Sequence, residues 1–176
     1  MPSFFETEHL KVRAFERTDA ACLYQNHTED AVKRWIPNES YRDTAEADAA
    51  IHFFRQCVEQ KKLPYVLAVE LKENGALIGD TGINEVEGCP SQVEIGYTIS
   101  DACAGKGYAT ELVQAMMHFC ALELGVHTFY GRVLRGNLAS VRVLEKNGFA
   151  FLREEMDAED DPYGCGMLVY RKDIQA

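Results

Sequence analysis

Apolar and polar positions alternate over residues 9–15, with Leu10, Val12 and Ala14 on one side and Lys11 and Arg13 on the other. That period of two predicts a strand. Thr18-Asp19 then opens a helix that runs to about His27. Asp43, with Glu46 three residues later, has the form of a capping box, and the helix it starts gathers Ala47, Ala50, Ile51, Phe54 and Val58 on one face. Residues 65–71 and 76–86 read as strands joined across Asn74-Gly75, and a third strand, 92–99, follows the turn Gly88-Cys89-Pro90. Over 107–124 the apolar residues Leu112, Val113, Met116, Met117, Phe119 and Cys120 form a helical stripe, with Gly125 placed to end it. Residues 128–134 form a strand, and Asn137 caps a helix through Lys146 that Asn147-Gly148 closes. Strands at 149–155 and 166–171 complete the chain. The order β-α-α-β-β-β-α-β-α-β-β predicts a mixed α/β sheet with helices on both faces. No repeat or linker interrupts it, so residues 1–176 are expected to form a single domain.

Composition narrows what such a sheet can be. A chain of 176 residues can bury roughly 70% of its unfolded surface in one core. Its apolar runs, such as 63–69, are far below the ~20 residues a membrane span needs. The opening MPSFFE lacks the basic start and apolar core of a signal peptide. Six cysteines (22, 57, 89, 103, 120 and 165) form no C-x-x-C pair, which favours reduced thiols in a cytoplasmic protein over a disulfide frame or a zinc site. Five histidines (9, 27, 52, 118 and 127) show no ligand spacing, so no metal is expected. A formal net charge of −10 argues against nucleic-acid binding and suits cationic amines. The charge is uneven, with Arg132, Arg135, Arg142 and Lys146 followed by Glu154, Glu155, Asp157, Glu159, Asp160 and Asp161. Either run alone reads as a solvated face.

The stretch ISDACAGKGYATELVQAMMHFC, residues 99–120, is the most informative. Glycines at 105 and 107, flanking a lysine where a helix begins, suit an anion cradle made of free N–H groups and the positive end of the helix dipole. A plain strand-to-helix turn would use the same residues. There is no G-x-x-x-x-G-K-[ST] P-loop, and the preceding hairpin is wrong for a dinucleotide fingerprint.

Three segments shift the balance: EIGYTI (94–99), GKGYATE (105–111) and NLASVRVLEKNGF (137–149). At these spacings they jointly resemble the GNAT superfamily of acetyl-CoA-dependent N-acetyltransferases, and more closely its RimJ/RimL-like branch. The similarity runs from ETEHLKVRAFERTDA to the last strand. It implies a mostly antiparallel, twisted α/β sheet whose strands at 92–99 and 128–134 splay apart, with helices on both faces. The pantetheine arm of acetyl-CoA, the acyl-donor substrate, would lie in that gap and pair with backbone groups of Tyr97, Thr98 and Ile99. Gly105, Lys106, Gly107, Tyr108, Ala109 and Thr110 would cradle the pyrophosphate. Asn137 would cap its helix and hydrogen-bond the pantetheine arm, although a cap alone explains an asparagine there.

The resemblance further implies direct attack of a neutral amine on the thioester, without an acyl-enzyme, and a backbone N–H for the oxyanion. Glu94 is the candidate general base, acting directly or through water, with an ordinary strand-end carboxylate as the competing reading. A weakly basic α-amine, roughly a tenth neutral at pH 7, needs only a modest base. Relatives place Gln or Arg where this chain has Ala104, and many place a leaving-group tyrosine where it has Leu144. Ser140, one helical turn beyond Asn137, is then the candidate acid for the thiolate, if an acid is used at all. Cys120 falls on the core stripe, and Cys103 has no histidine near it in sequence, so an acyl-cysteine is not expected. Trp35-Ile36-Pro37 and the acidic loop 157–163 are candidates for the acceptor rim.

Two functions remain on these residues. One is acetyl transfer to a protein N-terminus or small amine in the cytoplasm, with no nucleic-acid or membrane partner and with a homodimer left open. The other is a catalytically silent coenzyme-A-binding protein, favoured by Ala104 and Leu144.

Overall fold

The computed structural model describes residues 3–175; Met1, Pro2 and Ala176 lie outside the described residues. Eight strands form one sheet in the order β1-β2-β3-β4-β5-β6-β8-β7. They are β1 (Ser3–Glu6), β2 (Leu10–Arg13), β3 (Tyr65–Leu71), β4 (Leu77–Val86), β5 (Cys89–Ile99), β6 (Thr128–Leu134), β7 (Ala150–Glu155) and β8 (Met167–Asp173). Every neighbouring pair is antiparallel except β5–β6, which is parallel. A parallel pair needs a crossover, and α4 (Tyr108–Leu124) supplies it.

Two elements escaped the periodicity reading. β1 adds an edge strand ahead of residue 9, and α2 (Asp30–Trp35) follows α1 (Ala20–Asn26). The 4-residue β1 and 6-residue α2 are too short for a period to stand out. The turn before β5 is also earlier than expected: Val86 pairs with Cys89, so Glu87-Gly88 makes the bend and Pro90 lies inside the strand. At α3 (Thr44–Glu59), Asp43 accepts the Glu46 N–H at 2.8 Å, the forward half of a capping box. The Glu46 carboxylate returns to the N–H of Arg42.

Strand alternation divides the apolar residues between two faces. Leu67 and Val69 of β3 join Ile83, Val93, Ile95 and Phe129 beneath Leu112, Val113, Met116 and Cys120 of α4. Ala68, the residue between, packs on the other face with Phe15, Leu23, Ala47 and Ile51 from the α1–α3 layer. Each large buried aliphatic chain contributes roughly 1.5–3 kcal/mol, so the α4 stripe anchors the crossover firmly. Burial pushes the Cys120 thiol up to about 12, as befits a core residue.

The feature that positions a site is a fork. β5 and β6 pair only at Gln92↔Thr128, Val93↔Phe129 and Glu94↔Tyr130. Beyond Glu94, β5 continues against β4 as far as Gly79↔Ile99, while β6, paired with β8 along its whole length, keeps β8 as its one neighbour.

Candidate active site

Glu94 stands at the fork. The β5 residues beyond it have a hydrogen-bonding neighbour on the β4 side alone. The Ser100 N–H bonds to the Ile78 carbonyl at 2.7 Å, so Ser100 faces β4. Alternation therefore aims the Thr98 backbone at β4 as well, and those of Tyr97 and Ile99 at the open side. Gly79 agrees with this direction, because a Cβ there would stand 1.9 Å from the Thr98 carbonyl oxygen. Of the three backbone positions expected at the pantetheine arm, Tyr97 and Ile99 are presented to the gap and Thr98 is turned away. The Thr98 hydroxyl is buried without a hydrogen-bond partner among the described residues.

Past the end of β5 lies a short 3-10 turn, Asp101–Cys103, and then the glycine loop. Gly105 and Gly107 have φ of +75° and +84°, the left-handed region that other residues rarely occupy. Gly107 is the N-cap of α4 and brings no side chain to the role. The first intrahelical bond runs from the Glu111 N–H to the Gly107 carbonyl at 3.1 Å, which leaves the N–H groups of Tyr108, Ala109 and Thr110 ahead of it. A Cβ at Gly105 or Gly107 would meet nothing within 4 Å. The loop is open, with Lys106 exposed between the glycines. Ala104 is exposed beside them, its N–H held by the Asp101 carbonyl.

The α5 helix (Leu138–Lys146) closes the other end. Asn137 caps it, its Oδ1 accepting the Ser140 N–H at 3.4 Å. Ser140 Oγ in turn accepts from Asn137 Nδ2 at 3.2 Å and from the Tyr97 phenol at 3.4 Å. Position 144 is leucine, so α5 itself offers no phenol there, but the fold brings the Tyr97 phenol of β5 to Ser140. Leu144 is buried in the core, and Gly131 of β6 makes room for it, since a Cβ there would lie 2.8 Å from Leu144 Cδ2. No local pattern links Tyr97 to Ser140, 43 residues away.

On the opposite face of β5 the groups are charged. Burial raises the pKa of Glu94, with Arg132 pulling it down and Asp160 and Glu155 pushing it up. Arg132 is shared: its guanidinium bonds Asp160 at 2.6 and 3.0 Å and Glu155 at 2.8 Å. Its charge is therefore largely spent on those two acids. The acidic run is thus more than a solvated face, and Asp161 accepts the Gly166 N–H at 2.7 Å to fold the loop.

Nearby, His27 is almost wholly buried between Asp80 on β4, 2.6 Å from its Nε2, and the Glu39 carbonyl, 2.6 Å from its Nδ1. The Glu39 carbonyl can only accept, so Nδ1 carries a proton, and a carboxylate on Nε2 favours the doubly protonated ring. Burial opposes that charge, but the Asp80 carboxylate and Glu39 outweigh it and raise the pKa. Sequence spacing missed this pair because 53 residues separate its members.

The candidate acceptor rim also comes together. Trp35, half-buried at the end of α2, lies 3.6 Å from where a Gly136 Cβ would stand, just before Asn137. From the acidic loop, the Tyr163 phenol donates to the Lys33 carbonyl of α2 at 3.3 Å. Cys103 packs partly buried against the main core. Among the described residues no group of three His, Cys, Asp or Glu is placed to hold a metal ion, and no helix is long and apolar enough to cross a membrane.

Comparison with known proteins bears on this arrangement. The sequence pattern of the acetyltransferase (GNAT) domain matches residues 9–150. An uncharacterized N-acetyltransferase of Bacillus subtilis, YoaA, is 27% identical over 161 residues, 90% of either chain. RimL, an α-N-protein acetyltransferase solved in complex with coenzyme A, superposes with a TM-score of 0.85 at 17% identity over 98% of both chains. A GNAT-family acetyltransferase of Bacillus anthracis does so with 0.80 at 20% identity over 96% of both. At such identities the solved structures show a shared fold, and they include members of the branch that the motifs resembled.

Proposed function

The chain belongs to the GNAT acetyltransferase family, and from that premise we propose how its site carries the reaction. It is an acetyl-CoA-dependent N-acetyltransferase, moving an acetyl group from acetyl-CoA to an amine. The observation that carries our assignment of the site is the fork, where a strand edge is open between a glycine-capped helix start and the Asn137–Ser140 turn.

In this reading the pantetheine arm enters the gap as an added strand, pairing with Tyr97 and Ile99. Its pyrophosphate rests on the N–H groups of residues 105–110 at the positive end of α4. The donor set fits a phosphate: it is backbone, unobstructed and beside Lys106. Asn137 and Ser140 meet the thioester end.

The acceptor amine approaches from the Glu94 face. Its nitrogen attacks the acetyl carbon, its surplus proton passes to Glu94, and the C–S electron pair leaves on sulfur. A carboxylate raised by burial is a better base than one in water, and an α-amine or other weakly basic amine asks little more of it. Glu39, which retains solvent access, and Glu94 both add negative potential on this side, favouring a cationic acceptor as it arrives. We place the acceptor among protein N-terminal α-amines and small-molecule amines, and the protein in the cytoplasm, in keeping with six free thiols. Leu144 gives no support to a silent coenzyme-A-binding protein, since that position is core and Tyr97 brings a phenol to Ser140.

The test is an acceptor screen with acetyl-CoA, read by thiol release, over peptides with free N-termini, polyamines and amino-sugar antibiotics. Saturable release with one class, lost in Glu94→Gln, is the expected result. Thiol release that no amine accelerates would overturn the assignment.

A further inference from the structure

Ser140 is held by more than its own helix. Asn137 is fixed in orientation, because its Oδ1 takes the Ser140 N–H and so turns its amide NH2 toward Ser140 Oγ, 3.2 Å away. The Tyr97 phenol reaches the same oxygen at 3.4 Å. A serine oxygen has two lone pairs and one proton. With an amide N–H and a phenol O–H donating to it, both lone pairs are engaged and the Oγ–H must point elsewhere. The donors come from β5 and from the chain just beyond β6, the two strands that flank the opening. Burial holds the Tyr97 phenol above its ordinary range, ahead of the smaller opposing effect of Ser140, so it stays a protonated donor. At 3.4 Å this contact is long for O–H···O, so it is the weaker of the two hydrogen bonds on Ser140 Oγ.

From this geometry we infer that Tyr97 is a positioning residue for the leaving group: its phenol, together with the Asn137 amide, turns the Ser140 hydroxyl so that its proton is offered to the coenzyme A sulfur. This rests on the proposed reading that Ser140 meets the thioester. As the C–N bond forms and the C–S bond breaks, the electron pair goes to sulfur and the amine's proton to Glu94. Ser140 and Tyr97 keep their protons and lend hydrogen bonds only. The sulfur takes its proton from water, and Glu94 returns one to water, so the sum is an amide and a thiol.

An equilibrium measurement tests this without any acceptor. Coenzyme A is bound to the protein and its thiolate absorbance is followed against pH in the parent, Ser140→Ala, Tyr97→Phe and the double variant. A hydrogen bond to the charged form lowers a pKa, so the bound thiol should titrate about half a unit to one unit lower in the parent than in Ser140→Ala. Tyr97→Phe should lose a large part of that lowering with coenzyme A affinity nearly unchanged. The double variant should match Ser140→Ala, because Tyr97 acts only through Ser140. A Tyr97→Phe protein that titrates like the parent, that loses coenzyme A binding, or whose effect adds to that of Ser140→Ala overturns the role of Tyr97 and leaves Ser140 at the sulfur. A Ser140→Ala protein that titrates like the parent removes the reading beneath the inference, and the inference with it.

Discussion

One side of the fork presents main chain: two glycines with positive φ and the first-turn N–H groups of a 17-residue helix. The far face of β5 presents charge taken partly or wholly out of water, in Glu94, the Arg132 cluster and the His27–Asp80 pair. Backbone donors do not titrate, so donor binding should vary little with pH. Buried acids and an imidazolium do titrate, so acceptor chemistry and local stability are where pH should act.

The largest effect is expected at His27–Asp80. Removing one partner of a buried pair leaves an uncompensated charge and typically costs about 3–5 kcal/mol, so Asp80→Ala should lower the free energy of chemical denaturation by that order. Because the folded pKa of His27 is raised above that of the free side chain, about 6.5, its contribution is fully present below that pH. It is lost as pH rises through the folded value. Stability of the parent should therefore fall over that alkaline window, and Asp80→Ala should lack the fall. A loss well under 1 kcal/mol with no change in pH dependence would leave the two faces alike.

Next comes Glu94→Gln, for which kcat should drop about a hundredfold, the low end for general bases, while acetyl-CoA affinity holds. In the parent, activity should fall on acidification at a pH above the ordinary carboxylate range, since burial raises this group. Unchanged kinetics would return Glu94 to an ordinary strand-end carboxylate. Gly107→Asp strikes the other side. It puts a negative side chain and an unfavourable φ at the helix start, and acetyl-CoA affinity should fall on the order of tenfold to a hundredfold. That loss should be nearly the same at pH 6.5 and 8; a strong pH dependence would mean that side chains carry the donor site too. Smallest of all, Arg171→Ala breaks an exposed pair with Asp173 on β8 and should leave the melting temperature within error of the parent.

The same contrast explains what could be read from the sequence. The glycine loop, Asn137 as a cap and the α4 stripe are made of residues close along the chain, so spacing alone revealed them. The fork itself came only through resemblance, because no periodicity marks where two strands stop pairing. Tyr97 was legible as a strand residue but not as the partner of Ser140, and the packing of Leu144 against Gly131 shows only in the fold. His27–Asp80 and Arg132–Asp160 join residues 53 and 28 positions apart, and nothing local distinguishes them from surface charge. The elements β1 and α2 were lost for want of length.

The central claim is that acetyl-CoA lies in the gap beyond Glu94, paired to the free edge of β5. Amide hydrogen exchange with and without saturating acetyl-CoA tests it most directly. The account predicts new protection at Tyr97 and Ile99 and at residues 108–110, with Thr98 little changed because β4 already holds it. Acetyl-CoA that raises the melting temperature yet leaves those strand amides exchanging as before would contradict it.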